Sequence, residues 1–357
     1  MRTSFAKTKS AMLLLAVGLT LTPANTPAQA SLGISLTNGV VSIFWPTSTV
    51  GWSWYPQSAD HPGTTTNLWT ELATTSRAAG NDITFTNPAT GTEKYFRLYD
   101  NTSVLLNLFS LNAHATLQTA VDQLAPYVRT QDVFVLVSGN NSGSPDFPNV
   151  IYWTTNLHQR FPGNDIWLLT SGLDNVAMVA SNRAQIPSQL TTLVYDYEPN
   201  WPNEPEFSWD FPTTISNYTT AASIAHAGGF ALVGAPTGRP VLESGLQQYN
   251  WDYGGLRSQS GTDGMLVQTQ TYCKSGKDVF AQALAKLKTQ QTAAGFSLDR
   301  LHPQISVDTN SVNGVAVPLA LDCAREARLA GFPRLSIWLA PPRVDAAVAV
   351  LQARVPP

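Results

Sequence analysis

The sequence predicts an α/β protein, a (β/α)8 TIM-like barrel preceded by a small all-β sandwich domain. Three observations predict it. The chain opens on an apolar leader, its next seventy or so residues hold short β-rich runs with no helical period, and after Asp100 eight apolar strand-like runs alternate with helical stretches. Such alternation is how a parallel sheet with crossover helices reads. Eight repeats in about 255 residues match the ordinary size of a closed (β/α)8 barrel. The rival, an open doubly wound sheet, usually carries a Gly-rich phosphate turn after its first strand, and no such turn is present.

Residues 1–30 read as a secretory signal peptide. Arg2, Lys7 and Lys9 give a basic start, Ala11 to Leu19 an apolar stretch, and Ala28-Gln29-Ala30 a small-x-small cleavage site. The stretch is shorter than the roughly 20 apolar residues that span a bilayer, and no later segment qualifies, so the sequence predicts a secreted chain with no membrane span. In an exported protein the only two cysteines, Cys273 and Cys323, are either one disulfide or two buried thiols.

Residues 31–100 form the predicted sandwich. Val40 to Trp45 follow an Asn38-Gly39 hairpin signal, and Ile83-Thr84-Phe85 and Lys94 to Leu98 read as further strands. The size suits an immunoglobulin or fibronectin type III-like module, and the segment resembles the accessory modules of exported bacterial proteins. Trp52 and Trp54 would share one face of a strand, as a sugar platform or as core.

Residues 101–357 form the predicted barrel and catalytic domain. The strands expected are 104–109, 133–137, 166–169, 193–197, 230–233, 265–269, 304–307 and 335–339. The helices expected are 117–127, 150–160, 176–184, 215–226, 278–293, 319–330 and 344–353. Between Val233 and Met265 the chain is irregular and aromatic, and reads as a long loop with one short helix.

Only 13% of residues are charged, about half the ~25% usual for soluble domains, and 43% are hydrophobic, which excludes a disordered or nucleic-acid-coating chain. The formal charge of −3 becomes −6 without the three basic residues of the leader, so nothing offers DNA or RNA an electrostatic footprint. The five histidines are scattered singly, which predicts no metal site, and no cofactor motif is present. Gly-x-Ser-x-Gly, Walker and His-Glu-x-x-His motifs are absent, which leaves the commonest esterase, nucleotide-hydrolase and zinc-protease readings without support.

Active sites of such barrels lie at the carboxyl ends of the strands. The informative end is the fourth, Leu193-Val194-Tyr195-Asp196-Tyr197-Glu198-Pro199-Asn200-Trp201. Strand alternation puts Asp196 and Glu198 inward at the mouth and the two tyrosines outward. Two adjacent carboxyls compete for ionisation, and a carboxylic acid kept protonated near neutrality is what glycoside cleavage needs. The predicted substrate is a polysaccharide or oligosaccharide.

The Asp-x-Glu at this strand end resembles the last half of the Asp-x-x-Asp-x-Asp-x-Glu motif of chitinase-like family 18 glycoside hydrolases. The resemblance implies that Glu198 protonates the glycosidic oxygen while Asp196 orients the N-acetyl group of the substrate, which itself attacks the anomeric carbon. The motif's first two acidic positions fall on Thr191 and Val194. It further implies a sugar floor at Trp338 on the eighth strand and polar contacts from Gln268, Gln270 and Tyr272 at the end of the sixth. A two-carboxylate mechanism would instead pair Glu198 with Asp308 at the end of the seventh strand. A barrel that binds carbohydrate without cleaving it would show the same features. Trp201, Trp251 and Tyr253, with Glu204, Glu206, Asp210, Tyr249, Asp252 and Arg257, form an aromatic-acidic loop set suited to sugar rings and hydroxyls.

Overall fold

The computed structural model describes seven strand segments and a few single residues before residue 102, and then residues 102–354 except 139–144, 200–205, 308–312 and 340–343. Chain contacts divide it into two units, one up to Asn101 with the C-terminal tail and one over Thr102–Ala353.

The first unit holds β1 (Gly33–Thr37), β2 (Val40–Pro46), β3 (Tyr55–Ala59), β4 (Thr70–Glu71), β5 (Ser76–Arg77), β6 (Asp82–Pro88) and β7 (Tyr95–Tyr99). They pair antiparallel in the orders β1-β2-β6-β5 and β4-β3-β7. Thr37 sits opposite Val40, the register that a two-residue hairpin imposes. Trp52 is buried, while the side chains of Trp54 and Tyr55 lie outside the described residues.

The second unit is a closed parallel barrel. Its strands, in order round the barrel, are β8 (Ser103–Leu108), β9 (Val133–Val137), β10 (Asp165–Ser171), β11 (Leu190–Tyr197), β12 (Ala231–Pro236), β13 (Gly264–Val267), β14 (Leu301–Ser306) and β15 (Arg334–Leu339), which pairs back on β8. All eight expected strands are present, with no end moved by more than three residues. Around them run α1 (His114–Leu124), α2 (Phe147–Arg160), α3 (Leu173–Ser181), α4 (Phe211–Ala227), α5 (Tyr253–Ser260), α6 (Gln270–Lys274), α7 (Lys277–Ala293), α8 (Val317–Leu329) and α9 (Asp345–Gln352). None of the described helices is long and apolar enough to cross a membrane.

Period-two alternation fills the barrel. Leu105, Val133, Val135, Val137, Trp167, Leu169, Val194, Val233, Ala235 and Leu266 form one buried cluster inside it, with Phe109 and Trp338 packed against its upper end. Even-numbered residues of β11 therefore point inward, and Tyr195 and Tyr197 point at the helices. Tyr195 lies 5.1 Å, centroid to centroid, from Tyr218 of α4.

The helix starts follow local chemistry. Asp146 accepts the Asn149 N–H and Asp210 the Thr213 N–H, satisfying donors that the first turns of α2 and α4 leave open, and a proline follows within two residues of each. The stretch between Val233 and Met265 holds α5, the short helix expected there. Its Gly254 lets it approach α7, since a Cβ would lie 2.2 Å from the Gln290 carbonyl oxygen. Cys273 of α6 and Cys323 of α8 are joined by a disulfide, which resolves the choice that the sequence left open.

The sixth strand requires a correction. It ends at Val267 and the chain then turns into α6, so Gln270 and Tyr272 sit on a helix and not on a strand continuing to Thr269. The turn is pinned by Thr269, whose hydroxyl donates to the Gln304 carbonyl and accepts the Gln304 N–H.

Candidate active site

Asp196 is the last inward residue of β11, with Ser171 of β10 and Ala235 of β12 beside it in register. It is only 5% exposed, and its Oδ1 accepts a hydrogen bond from Gln268 Nε2 at 2.7 Å. Glu198 follows two residues later, partly buried, just past the strand end. Burial pushes the Asp196 carboxyl well above the usual carboxylate range, and the neighbouring Glu198 charge pushes it further. The Tyr197 N–H and the Gln268 amide oppose both effects. Burial raises Glu198 as well. The pair thus sits at the mouth of a closed barrel with both carboxyls shifted toward the protonated form.

The outward tyrosines fix this strand end. Tyr195 Oη donates to Glu206 Oε1 at 2.8 Å, and the same carboxylate oxygen accepts the Leu173 N–H at the start of α3 at 2.7 Å. Tyr197 Oη accepts from the Ser208 N–H at 2.9 Å and from Asn217 Nδ2 at 3.1 Å. Glu206 is therefore a brace between β11 and α3, turned away from the mouth.

The other expected site residues divide into three groups. Gln268 is joined to Asp196. Gln270 donates from Nε2 to Gln304 Oε1. Gln304 Nε2 then donates to Ser336 Oγ at 3.2 Å, which also accepts from Asn107 Nδ2 at 2.8 Å. This polar chain crosses the barrel interior through β14, β15 and β8. Gln304, Ser336 and Asn107 drew no attention in the sequence, where Ser336 and Asn107 each sit in an otherwise apolar stretch and Gln304 alternates with His302 and Ser306; only their inward parity could have marked them. Trp338 stands in the same register layer as Asn107 and Ser306, with its ring 3.9 Å from Phe109 and inclined at 72° to it.

Tyr272, Trp251 and Tyr253 belong to the packing beside the site. Tyr272 Oη accepts the Leu242 N–H at 2.9 Å and lies 2.6 Å from the Arg239 carbonyl, bracing the loop after β12; burial pushes its pKa up to about 12. Tyr253 is fully buried and donates to the Thr237 carbonyl at 2.6 Å. Trp251 is buried among Tyr197, Trp209 and Phe211, with its N–H on the Trp209 carbonyl at 2.8 Å. Their faces are covered by protein, so none presents a free platform. Around them Tyr249 stacks on Trp209 at 5.7 Å, Asp252 caps α5, and Arg257 lies 4.0 Å from the centre of the Phe296 ring. Trp201, Glu204 and Asp308 lie outside the described residues. Among the described residues no three His, Cys, Asp or Glu side chains gather as a metal site.

No family model matches the chain, and no curated protein matches it either. Solved structures do. The catalytic domain of a family GH18 chitinase from the fern Peteris ryukyuensis is 13% identical, with a TM-score of 0.45 over 70% of this chain and 96% of that one. The spore cortex-lytic enzyme SleL of Bacillus megaterium is 10% identical, TM-score 0.48, over 78% of each chain. A modular endo-beta-1,4-mannanase from Cellulomonas fimi is 10% identical, TM-score 0.48, over 72% and 71%.

Proposed function

We propose that this chain is an exported glycoside hydrolase in which Glu198 is the general acid and Asp196 its partner. The observation that carries the reading is a pair of neighbouring carboxyls, one buried and hydrogen-bonded and both shifted upward by burial, at the end of the fourth strand of a closed (β/α)8 barrel. Glu198 donates its proton to the glycosidic oxygen as the bond to the anomeric carbon breaks. In the chemistry implied by the family 18 resemblance, the carbonyl oxygen of the substrate's own N-acetyl group forms the new bond to that carbon, and Asp196 holds the N–H. Water then opens the cyclic intermediate, giving its proton to the Glu198 carboxylate and restoring the acid. Trp338, Gln270 and Trp201 are proposed to contact the sugar, and the strands before Asp100 to form an accessory module.

The test is reducing-end release by the mature protein from a panel of β-linked glycans that includes N-acetylglucosamine polymers, run beside Glu198→Gln. Turnover of N-acetylated substrates that the substitution lowers by about 10²- to 10⁴-fold supports the reading. Turnover only of glycans lacking the acetamido group moves the nucleophile to Asp308. Binding without any turnover makes the protein a carbohydrate-binding barrel.

A further inference from the structure

Gln268 stands immediately past β13, and both its backbone and its side chain are held. Its N–H donates to the Pro236 carbonyl at 3.1 Å, and its own carbonyl accepts the Gly238 N–H at 3.1 Å. A Cβ on residue 238 would lie 2.3 Å from that carbonyl oxygen, so the close approach requires glycine there. The side-chain Nε2 is 2.9 Å from the Ala235 carbonyl oxygen and 2.7 Å from Asp196 Oδ1. A backbone carbonyl can only accept, so the atom facing it is the amide nitrogen and not Oε1. That settles the polarity of the second contact: the same nitrogen donates to Asp196. Both amide hydrogens are engaged, one of them on a strand of the barrel wall.

The consequence falls on Asp196. The carboxyl is thereby tied through Oδ1 to an amide whose other hydrogen is anchored on β12. We propose that Gln268 is a positioning residue that fixes the plane of the Asp196 carboxyl by holding its Oδ1 from β13. The sequence reading placed Gln268 among the residues that touch sugar; here it acts through Asp196. The inference rests on Asp196 being the partner of Glu198 only for its catalytic consequence.

The test is carboxyl carbon NMR on the full mature chain labelled at Asp and Glu, with the Asp196 signal assigned by its loss in Asp196→Asn. A donor to the charged form holds a carboxyl pKa down, so Gln268→Leu and the more flexible Gln268→Met should each raise the Asp196 midpoint by about one pH unit. An unchanged midpoint in either folded variant overturns the proposal. A second reading needs no substitution at 268: the side-chain amide protons of Gln268 should shift through the Asp196 titration in wild type and stay flat in Asp196→Asn. Flat signals in wild type overturn it as well. On a turned-over glycan, the variants should lose at least tenfold in kcat with KM within about threefold, whereas a raised KM at unchanged kcat makes Gln268 a direct substrate contact. The NMR arms require no turnover, so an inactive wild type counts against the glycosidase reading and leaves the Gln268 result standing.

Discussion

At the scale of single residues, burial sets the chemistry of the pair and leaves a cost in stability. A carboxyl whose pKa is higher in the folded chain than in the unfolded one contributes its stability below the unfolded value and loses it as pH rises through the folded value. Asp196 and Glu198 are both shifted upward, by burial first. Asp196→Asn keeps an oxygen for Gln268 to donate to and removes the charge, so its melting temperature should exceed that of wild type by more at pH 8 than at pH 4. Differential scanning calorimetry at the two pH values checks this, and equal shifts would contradict it. For catalysis the sign is the same: Glu198 must hold its proton, so kcat should fall as pH rises through its raised pKa. The inward position of Asp196 was legible because it closes a strongly apolar β run, where parity alone turns its carboxyl into the barrel. The burial of Trp251, Tyr253 and Tyr272 was not legible, because their covering partners, Phe211, Thr237 and Leu242, come from other segments.

At the scale of elements, the strands were readable because inward and outward residues alternate with period two, and the helices because apolar faces recur every three to four residues. The segment Tyr253–Ser260 carries two glycines and a weak helical signal, so packing against α4 and α7 completes it. The sixth strand stops at Val267 instead of 269, because the Thr269 hydrogen bonds override the polar alternation of Gln268–Tyr272 and turn the chain into α6. Close packing between elements gives a sharp expectation. A Cβ on Gly234 of β12 would lie 2.5 Å from the Tyr218 ring and 2.9 Å from Met265 Sδ. Gly234→Ala should therefore lower the unfolding free energy by about 1–3 kcal/mol in urea denaturation. Asp210→Ala should lower the urea midpoint as well, through the lost cap of α4.

At the scale of the whole molecule, two features govern stability. The Cys273–Cys323 disulfide closes a 50-residue separation, and chain entropy assigns such a loop about 4 kcal/mol. The Cys273→Ser, Cys323→Ser double variant should unfold at lower denaturant by about that amount, and reduction should mimic it. His302, inside the lower barrel, is held neutral by burial and by the charges of Arg334, Arg300 and Arg257. Its pKa is depressed on folding, so the unfolded chain binds its proton first and stability should fall as pH drops below about 6.5. Replacement of His302 by Met should flatten that part of the profile. The barrel itself was legible from eight repeats of strand and helix, while its interior polar chain depends on which single polar residues share a layer after closure.

The most direct test of Glu198 as the general acid compares leaving groups. A dinitrophenyl glycoside departs without protonation, whereas the sugar alcohol of a natural glycan does not. Glu198→Gln should cleave the activated glycoside at a rate within about tenfold of wild type while losing about 10²-fold or more on the natural linkage. An equal loss on both substrates would contradict the account, because it would assign Glu198 to a step other than protonation of the leaving oxygen.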